Sequence, residues 1–444
     1  MTGVRNSSEV DLGAVAHGGH MVARLDGRVV FVRHGLPGER VRLTLTDSGA
    51  DRKFWRADAV EVLGEPAAGR RASLCPVSGP PLRGIGGCGG CDWQHVTPQV
   101  QRELKADVIT EALARFAGLE PDARLVVEEL PLGAGQDPVA GAKGLGWRTR
   151  VRFAVDHSTG RLGLRAHRSH RVVPLTDCPL AHPGVLATGV LSLLWPSEVS
   201  EVDVSVAAET GESLVVVIPA DEHAGLSEGT ELPRPHKDVS MAVREPDGAL
   251  LRLQGRTWLA EQAAGRTYRV TGGGFWQVHP AAADTLVASV LDMLQPRAGE
   301  HAADLYGGVG LFAGALAPSL GPSGSVVAVE SDPRAAADAR RNLHEHPTVT
   351  VVGTSIDHMT LPPVLDLVVL DPPRKGAGAA VVAQIAAAGP RAIAYVACDP
   401  VALARDIATF AGFGYHLAEL AAYDTFPTTQ HVECVALLER DSRR

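Results

Sequence analysis

From Ala302 onward the chain alternates short apolar runs with helix-compatible segments, and that alternation restricts the fold more than any other feature. Ala302–Tyr306, Ser325–Glu330, Val349–Gly353, Leu365–Leu370 and Ala392–Ala397 read as strands. Pro333–His344 and Val401–Ala411 read as helices between them. Such a pattern calls for a mostly parallel sheet with helices on its faces. Two last runs, Leu417–Ala422 and Val432–Glu439, are separated by only about ten residues with no helix, so the sheet is expected to end antiparallel. The expected fold class is therefore α/β.

Open sheets of this kind bind ligands outside the carboxyl ends of their strands. Four segments offer chemistry at or near such ends. Gly307-Gly308-Val309-Gly310 follows a strand and opens a helix, and glycines there let backbone approach a nucleotide. Glu330 ends the next strand, where its carboxylate can accept both ribose hydroxyls of an adenosine. The run Gly308–Ala313 also meets the loose dinucleotide fingerprint, which keeps an NAD-dependent dehydrogenase among the readings. Asp371-Pro372-Pro373-Arg374 is a stiff strand exit that would aim Asp371 into the cleft. Tyr395-Val396-Ala397-Cys398-Asp399-Pro400 delivers a thiol to a sharp stop. A lone Cys is more often buried packing than a nucleophile, since reactivity needs a thiolate-favouring setting. Thirty-five residues on, Phe426–Glu433 ends in a carboxylate able to move a proton. Nucleophile, base and cofactor loop together suggest group transfer.

The remaining sequence adds two further regions. At 444 residues and 45% hydrophobic content, the chain has material for about three globular domains. Met1–Gly13 lacks an apolar h-region, and no run reaches ~18 apolar residues. A cytoplasmic protein without membrane contact is expected. Residues 1–63 read as a small β-barrel: Val29–Val32 is a strand, Gly35–Glu39 a turn, and Val41, Leu43 and Leu45 alternate with polar residues. Arg52, Lys53, Phe54, Trp55 and Arg56 mix charge with aromatic rings, as single-stranded nucleic-acid binders do. Trp55 equally suits the barrel core. A helix is expected over 97–117, with Thr97 as N-cap, Pro98 at its first position, an apolar stripe through Val100, Leu104, Val108, Ala112, Leu113 and Phe116, and Gly118 as stop. Residues from about 125 to 270 read as strands, with an irregular insertion at Asp221–Asp238.

The net charge of −9 does not advertise a nucleic-acid binder, but charge is unevenly spread. Lys143, Arg148, Arg150, Arg152, Arg161, Arg165, Arg168 and Arg171 face a single acid, Asp156. The stretch suits a phosphate backbone or a solvated strand face. Cys75, Cys88, Cys91 and Cys178 form a set of four, with metal-ligand spacing in Cys88-Gly89-Gly90-Cys91. Four thiolates complete an iron–sulfur ligand set. Zinc is the alternative, although structural zinc more often uses two paired knuckles. Unrelated buried thiols are the third reading, and disulfides are not expected in a cytosolic chain. Cys434 alternates away from Glu433 and reads as core.

Taken together, these residues resemble the RNA 5-methyluridine methyltransferase family over nearly the whole chain. Ala397-Cys398-Asp399-Pro400 and Phe426–Glu433 match its nucleophile and terminal motifs, and Phe275-Trp276-Gln277-Val278-His279 its entry to the catalytic domain. The resemblance implies a TRAM domain (an OB-like RNA-binding barrel) at 1–63, a mostly-β central domain at 64–270 with helix 97–117 packed on the catalytic domain, and a Rossmann-like class I methyltransferase domain at 271–444. It implies S-adenosylmethionine held by Gln277, Tyr306, Glu330 and Asp371, and a [4Fe–4S] cluster on Cys75, Cys88, Cys91 and Cys178. Twelve residues separate Cys75 from Cys88, more than is usual for this cluster. The implied chemistry is addition of Cys398 to uracil C6, methylation of C5 and removal of the C5 proton by Glu433. The site is expected to depress the pKa of Cys398. Arg374 stands where amine methylases carry an aromatic, which argues against an amine target. The implied partner is RNA, either 23S rRNA or tRNA, acted on by a monomer. A dehydrogenase and a catalytically inert RNA-binding protein are the competing readings.

Overall fold

A computed structural model gives the structure of residues 7–81, 87–120, 124–132 and 144–440. Lys143, counted above in the basic stretch, lies outside the described residues. The C-terminal half is built on one twisted sheet. Its strands are β1 (His301–Leu305), β2 (Ser325–Glu330), β3 (Val349–Gly353), β4 (Leu367–Leu370), β5 (Ala392–Ala397), β6 (Tyr415–Asp424) and β7 (Glu433–Arg440). They lie in the order β3-β2-β1-β4-β5-β7-β6, and Val127–Glu129 adds a short edge strand beyond β6. β1 to β5 are parallel, while β7 is inserted antiparallel between β5 and β6. The antiparallel ending is as expected. The order also departs from the 3-2-1-4-5-6 sheet of dinucleotide dehydrogenases.

The strands are apolar without interruption because both faces are covered. Ala392, Ala394 and Val396 of β5 point into one core; Ile393, Tyr395 and Ala397 point into the other. The helices are α1 (Pro98–Ala112), α2 (Ala282–Leu294), α3 (Leu311–Leu320), α4 (Pro333–Asn342), α5 (Ala379–Ala388) and α6 (Pro400–Ala411). α2, α3 and α4 share the first core, and α1, α5 and α6 the second. Two of them escaped the sequence reading. α5, Ala-Ala-Val-Val-Ala-Gln-Ile-Ala-Ala-Ala, is apolar nearly all round and so has no amphipathic period to detect. α2 follows the Phe275–His279 run directly. The hairpin Trp258–Ala263/Arg266–Thr271 precedes residue 271, yet Ala263, Tyr268 and Val270 pack in the first core with α2 and α3.

The amino-terminal strands Ser7–Asp11, Val15–Ala16, His20–Leu25, Arg28–Arg33, Arg40–Asp47 and Trp55–Leu63 form one six-stranded sheet around Val30, Val32, Val41 and Leu43. Trp55 packs at the margin of that core, with the Arg28 guanidinium over its ring. The central seven-stranded sheet is antiparallel except where Ser213–Pro219 pairs with Ser240–Arg244. Residues 221–238 carry turns and no strand.

α1 joins these parts. Leu104 and Val108 enter the barrel core, whereas Ala106, Ile109, Ala112 and Leu113 enter the second core of the large sheet. The helix is therefore wetted on neither of two faces, which a single stripe does not describe. Beyond Ala112 it continues as a π-turn to Ala117 and stops at Gly118, whose φ of 65° is the left-handed conformation a C-terminal glycine supplies. Its polar positions are buried as well. Lys105 is 0% exposed and donates to Asp424 at 2.5 Å and to the Phe426 carbonyl at 3.0 Å. One turn earlier, Gln101 donates to the Trp93 and Val96 carbonyls and accepts the Thr428 amide at 2.7 Å. α1 thus grips the connection between β6 and β7. Lys105→Met leaves Asp424 buried without its cation, and loss of one partner of a buried pair costs about 3–5 kcal/mol. Urea unfolding should show a drop of that size; a change under about 1 kcal/mol would mean that Asp424 is solvated in solution.

Candidate active site

The strand ends meet at a cleft of about 640 Å³. Gln277, Tyr306, Glu330, Asp371, Cys398 and Glu433 all line it, with Phe275, Arg374, Phe426 and His431. Six residues spread over positions 277 to 433 are thus brought to one place by the sheet topology.

Each is held by local structure. The β1–α3 loop turns through Tyr306, Gly308 and Gly310 at φ of 63°, 55° and 92°. A non-glycine residue in that region is strained, and such strain gathers at functional sites. Gly310 also lies so close to Leu343 that a Cβ would stand 2.7 Å from Cδ1. Asp304 does not reach the cleft; it is buried and accepts the Ala313 amide at 2.8 Å, fixing the start of α3. Glu330 accepts Gly308 N at 2.9 Å and Asp332 N at 2.6 Å, one on each oxygen. The Asp332-bound oxygen also takes a long contact from the Ser331 hydroxyl at 3.4 Å, weak enough to exchange for a ligand, and the Gly308-bound oxygen keeps a lone pair free. Gln277 sits on a loop anchored by Arg150, which donates to the Gly274 carbonyl at 2.6 Å and the Gly273 carbonyl at 3.2 Å.

Cys398 and Glu433 are juxtaposed by strand register. β5 and β7 pair Ala397 with Cys434, so one further step places Cys398 opposite Glu433. A parallel β7 would have sent its first residue to the far edge of the sheet. Cys398 is partly exposed and Glu433 is buried. After Cys398, Asp399 starts α6 by accepting Val401 N at 3.0 Å and Ala402 N at 2.9 Å.

The electrostatics of the ligand-free cleft correct one expectation. The Cys398 thiol is not depressed; burial first, then Glu433 and Asp371, push it up to about 12, with Arg374 opposing. Burial raises Asp371 to about 7. Burial and Asp371 raise Glu433 well above the usual carboxylate range. The site is a desolvated cluster of acids short of a cation. Arg374 lies 3.2 Å from Nε2 of His431, whose imidazole burial and Arg374 keep neutral, down to about 3. His431 carries no motif of its own beyond adjacency to Glu433, and sequence reasoning did not single it out.

Cys75, Cys88, Cys91 and Cys178 are all buried and unpaired as disulfides. They are electrostatic neighbours: burial raises Cys88 to about 11, and Cys178 and Cys75 add to the rise. The Arg148 guanidinium lies beside Cys178, Cys91 and Cys88. Among the described residues no three His, Cys, Asp or Glu side chains converge closely enough for a metal ion. The basic stretch is largely committed elsewhere. Arg150 and Arg152 pair with Asp203, and Arg165 with Glu201 at 2.8 Å. Arg161 and Arg168 remain at the surface. Cys434 is fully buried core, as expected. Among the described residues no helix is long and apolar enough to cross a membrane.

Comparison with known proteins gives concordant results. The family model described as tRNA (Uracil-5-)-methyltransferase matches residues 362–441, and the TRAM domain model matches 4–60. A Streptomyces avermitilis protein named "Uncharacterized RNA methyltransferase" is 47% identical over 445 residues, spanning 97% of this chain and 98% of that protein. The 23S rRNA (uracil(1939)-C(5))-methyltransferase RlmD of Alkalilimnicola ehrlichii is 32% identical over 469 residues, spanning 99% of this chain and 98% of its own. In fold, the chain matches the Pyrococcus abyssi tRNA (uracil-54, C5)-methyltransferase crystallised with S-adenosyl-L-homocysteine, at a TM-score of 0.69 and 22% identity over 97% of this chain and 100% of that one.

The raised thiol makes a prediction. Alkylation of Cys398 in ligand-free protein, followed by peptide mass spectrometry, should keep rising with pH past about 10. Glu433→Gln should change it little at neutral pH, where burial and Asp371 keep the Glu433 carboxyl protonated, and should speed it only above the pH at which that carboxyl ionises. A plateau near the ordinary thiol value of ~8.5 in the unaltered protein would refute the burial argument.

Proposed function

The chain belongs to the RNA uracil-5-methyltransferase family with an N-terminal TRAM domain, and from that premise we propose that it methylates uridine C5 in RNA through a covalent adduct of Cys398 with uracil C6. The observation that carries this reading is the opposition of Cys398 and Glu433 across β5 and β7, inside the cleft that also holds Gln277, Tyr306, Glu330 and Asp371. A dehydrogenase has no use for that pair, and an inert binder has no reason to keep it.

S-adenosylmethionine, when bound, supplies a cationic sulfonium with a transferable methyl group. Glu330 would take the ribose hydroxyls on its spare lone pairs, and Gln277, Tyr306 and Asp371 would line the rest of its seat. The acids that oppose ionisation of Cys398 form a seat for a cation, and an opposite charge at close range favours the ionised forms. A bound cation there would favour the ionised forms of the Cys398 thiol and of Glu433. Cys398 then loses its proton to water and forms a bond to C6, sending the C5–C6 pair onto C5 and the adjoining carbonyl. This splits one difficult substitution into easier steps. After C5 has gained the methyl group, Glu433 removes the C5 proton. The electrons of that C–H bond restore the ring double bond as Cys398 leaves. The target uridine has to leave its stack to reach a cleft of this depth.

The relative RlmD favours large-subunit ribosomal RNA as the substrate class, with tRNA the other arm of the test. Barrel residues Phe54 and Arg56, stacked at 4.7 Å, and exposed Arg161 and Arg168 offer aromatic and cationic contacts to the RNA backbone. Four buried thiols that act on one another's ionisation, with the Arg148 charge beside three of them, support a [4Fe–4S] cluster at this place. Cys75, Cys88, Cys91 and Cys178 would hold it in a structural role, since the reaction transfers no electron.

With 5-fluorouridine-substituted RNA and S-adenosylmethionine, the protein should form a stable adduct carrying one methyl group, because fluorine cannot leave as a cation. Cys398→Ala should form none while still binding cofactor; Glu433→Gln should trap the adduct on unsubstituted RNA. Absence of any adduct with both 23S rRNA and tRNA would refute the covalent reading. Protein purified without oxygen should carry about four irons and four sulfides per chain; stoichiometric zinc would overturn the cluster.

A further inference from the structure

The barrel reaches into the catalytic machinery through one short turn, Ala16–His20, between its second and third strands. Nε2 of His17 lies 2.9 Å from Oδ2 of Asp399, the residue after Cys398. The other Asp399 oxygen is occupied by the first amides of α6. Two residues along the same turn, Gly19 accepts a hydrogen bond from the Trp93 indole at 3.1 Å. Gly19 has φ of 75°, and a Cβ there would stand 2.5 Å from Cβ of Gln430. Any other residue would push the turn off the β6–β7 connection. The turn therefore touches both catalytic segments, one beside the nucleophile and one beside the base.

The charge of that contact matters because of where Asp399 lies. Its carboxylate is one of the acids opposing thiolate formation at Cys398. We infer that the barrel takes part in the reaction itself: His17 is a positioning residue that neutralises Asp399 and so favours the thiolate of Cys398. The inference rests on Cys398 acting as the nucleophile. The charged groups facing His17 are Asp399, Arg405 of α6 and Glu111 of α1. The Asp399 hydrogen bond, together with its charge, outweighs burial and Arg405 and raises the imidazole above its ordinary value. Burial pushes Asp399 up, but His17 and the two α6 amides hold it below the usual carboxylate range. The imidazolium is present at low pH and is lost as pH rises through the raised His17 value; above it the Asp399 charge acts unopposed on the thiol.

The test compares His17→Gln, which keeps a hydrogen bond without charge, and His17→Arg, which keeps the charge, in the full chain. The rate of Cys398 alkylation is read by peptide mass spectrometry without RNA or cofactor, so it stands apart from the methylation reading. At about pH 6.5, His17→Gln should react about threefold to fivefold more slowly than the unaltered protein, and the gap should close by about pH 9. His17→Arg should match the unaltered protein at the lower pH and exceed it at the higher. Equal rates for His17→Gln and the unaltered protein at the lower pH would overturn the inference. So would equal slowing by both variants, which would mark His17 as packing alone. In methyl transfer, the same factor should appear in kcat for His17→Gln, with KM for S-adenosylmethionine unchanged.

Discussion

The buried pair of Lys105 and Asp424, with Gln101 one turn away, is the contact on which the rest of the site depends. The β6–β7 connection has to present Glu433 at one height, and an eight-residue stretch without helix or strand has no means of its own to do so. α1 supplies the missing order by donating to Asp424 and the Phe426 carbonyl and by accepting the Thr428 amide. The same helix is packed into the barrel by Leu104 and Val108. A charge buried this completely is costly unless it is paired and hydrogen-bonded, and here both conditions hold. Stability and the placement of Glu433 are consequently one property.

The cleft is organised by deficiency rather than by complementarity. Asp371, Glu433 and Glu330 lie close together with Arg374 as the nearby cation, and the result is a set of raised pKa values. Ligand-free, the enzyme keeps its thiol protonated and unreactive. A thiol held protonated by burial is protected from oxidation and stray electrophiles. Small contributions at the rim, such as the one inferred for His17, then set how far the balance tips.

Much of this was legible in the sequence, and the parts that were not share a cause. β2, β3 and β5 appear at their expected bounds because apolar runs ending in Glu330, Gly353 and Asp399-Pro400 carry their own stops. The cofactor-loop residues, Cys398 and Glu433 were singled out because strand ends and local motifs mark them, and the sheet brings them to one cleft. α5 was missed because a helix apolar on nearly all sides, Ala379 and Ala380 of its exposed face included, has no periodicity to read. The dual burial of α1 was misread as one stripe, since Lys105 and Gln101 look like solvent-facing residues until their partners, more than three hundred residues away, are known. The raised thiol, the pairing of Arg150 and Arg152 with Asp203 and the contact of His17 with Asp399 are likewise long-range. Sequence patterns report on neighbours along the chain, and electrostatic balance does not.

The reversed last strand has a consequence for biosynthesis. Because β7 enters the sheet from the active edge and follows every other strand of that sheet along the chain, Glu433 is synthesised after all of them and long after the turn that touches its loop. A nascent chain halted after α6 would already possess its barrel, its thiol set, its cofactor loop and Cys398, yet β5 would lie beside an empty slot. Such an intermediate would expose an unpaired, wholly apolar strand edge next to the Cys398 thiol. Closing that slot quickly with β7 is thus as much a matter of safe folding as of catalysis, and it makes the insertion of β7 a checkpoint that only a chain already carrying every other strand of the sheet can pass.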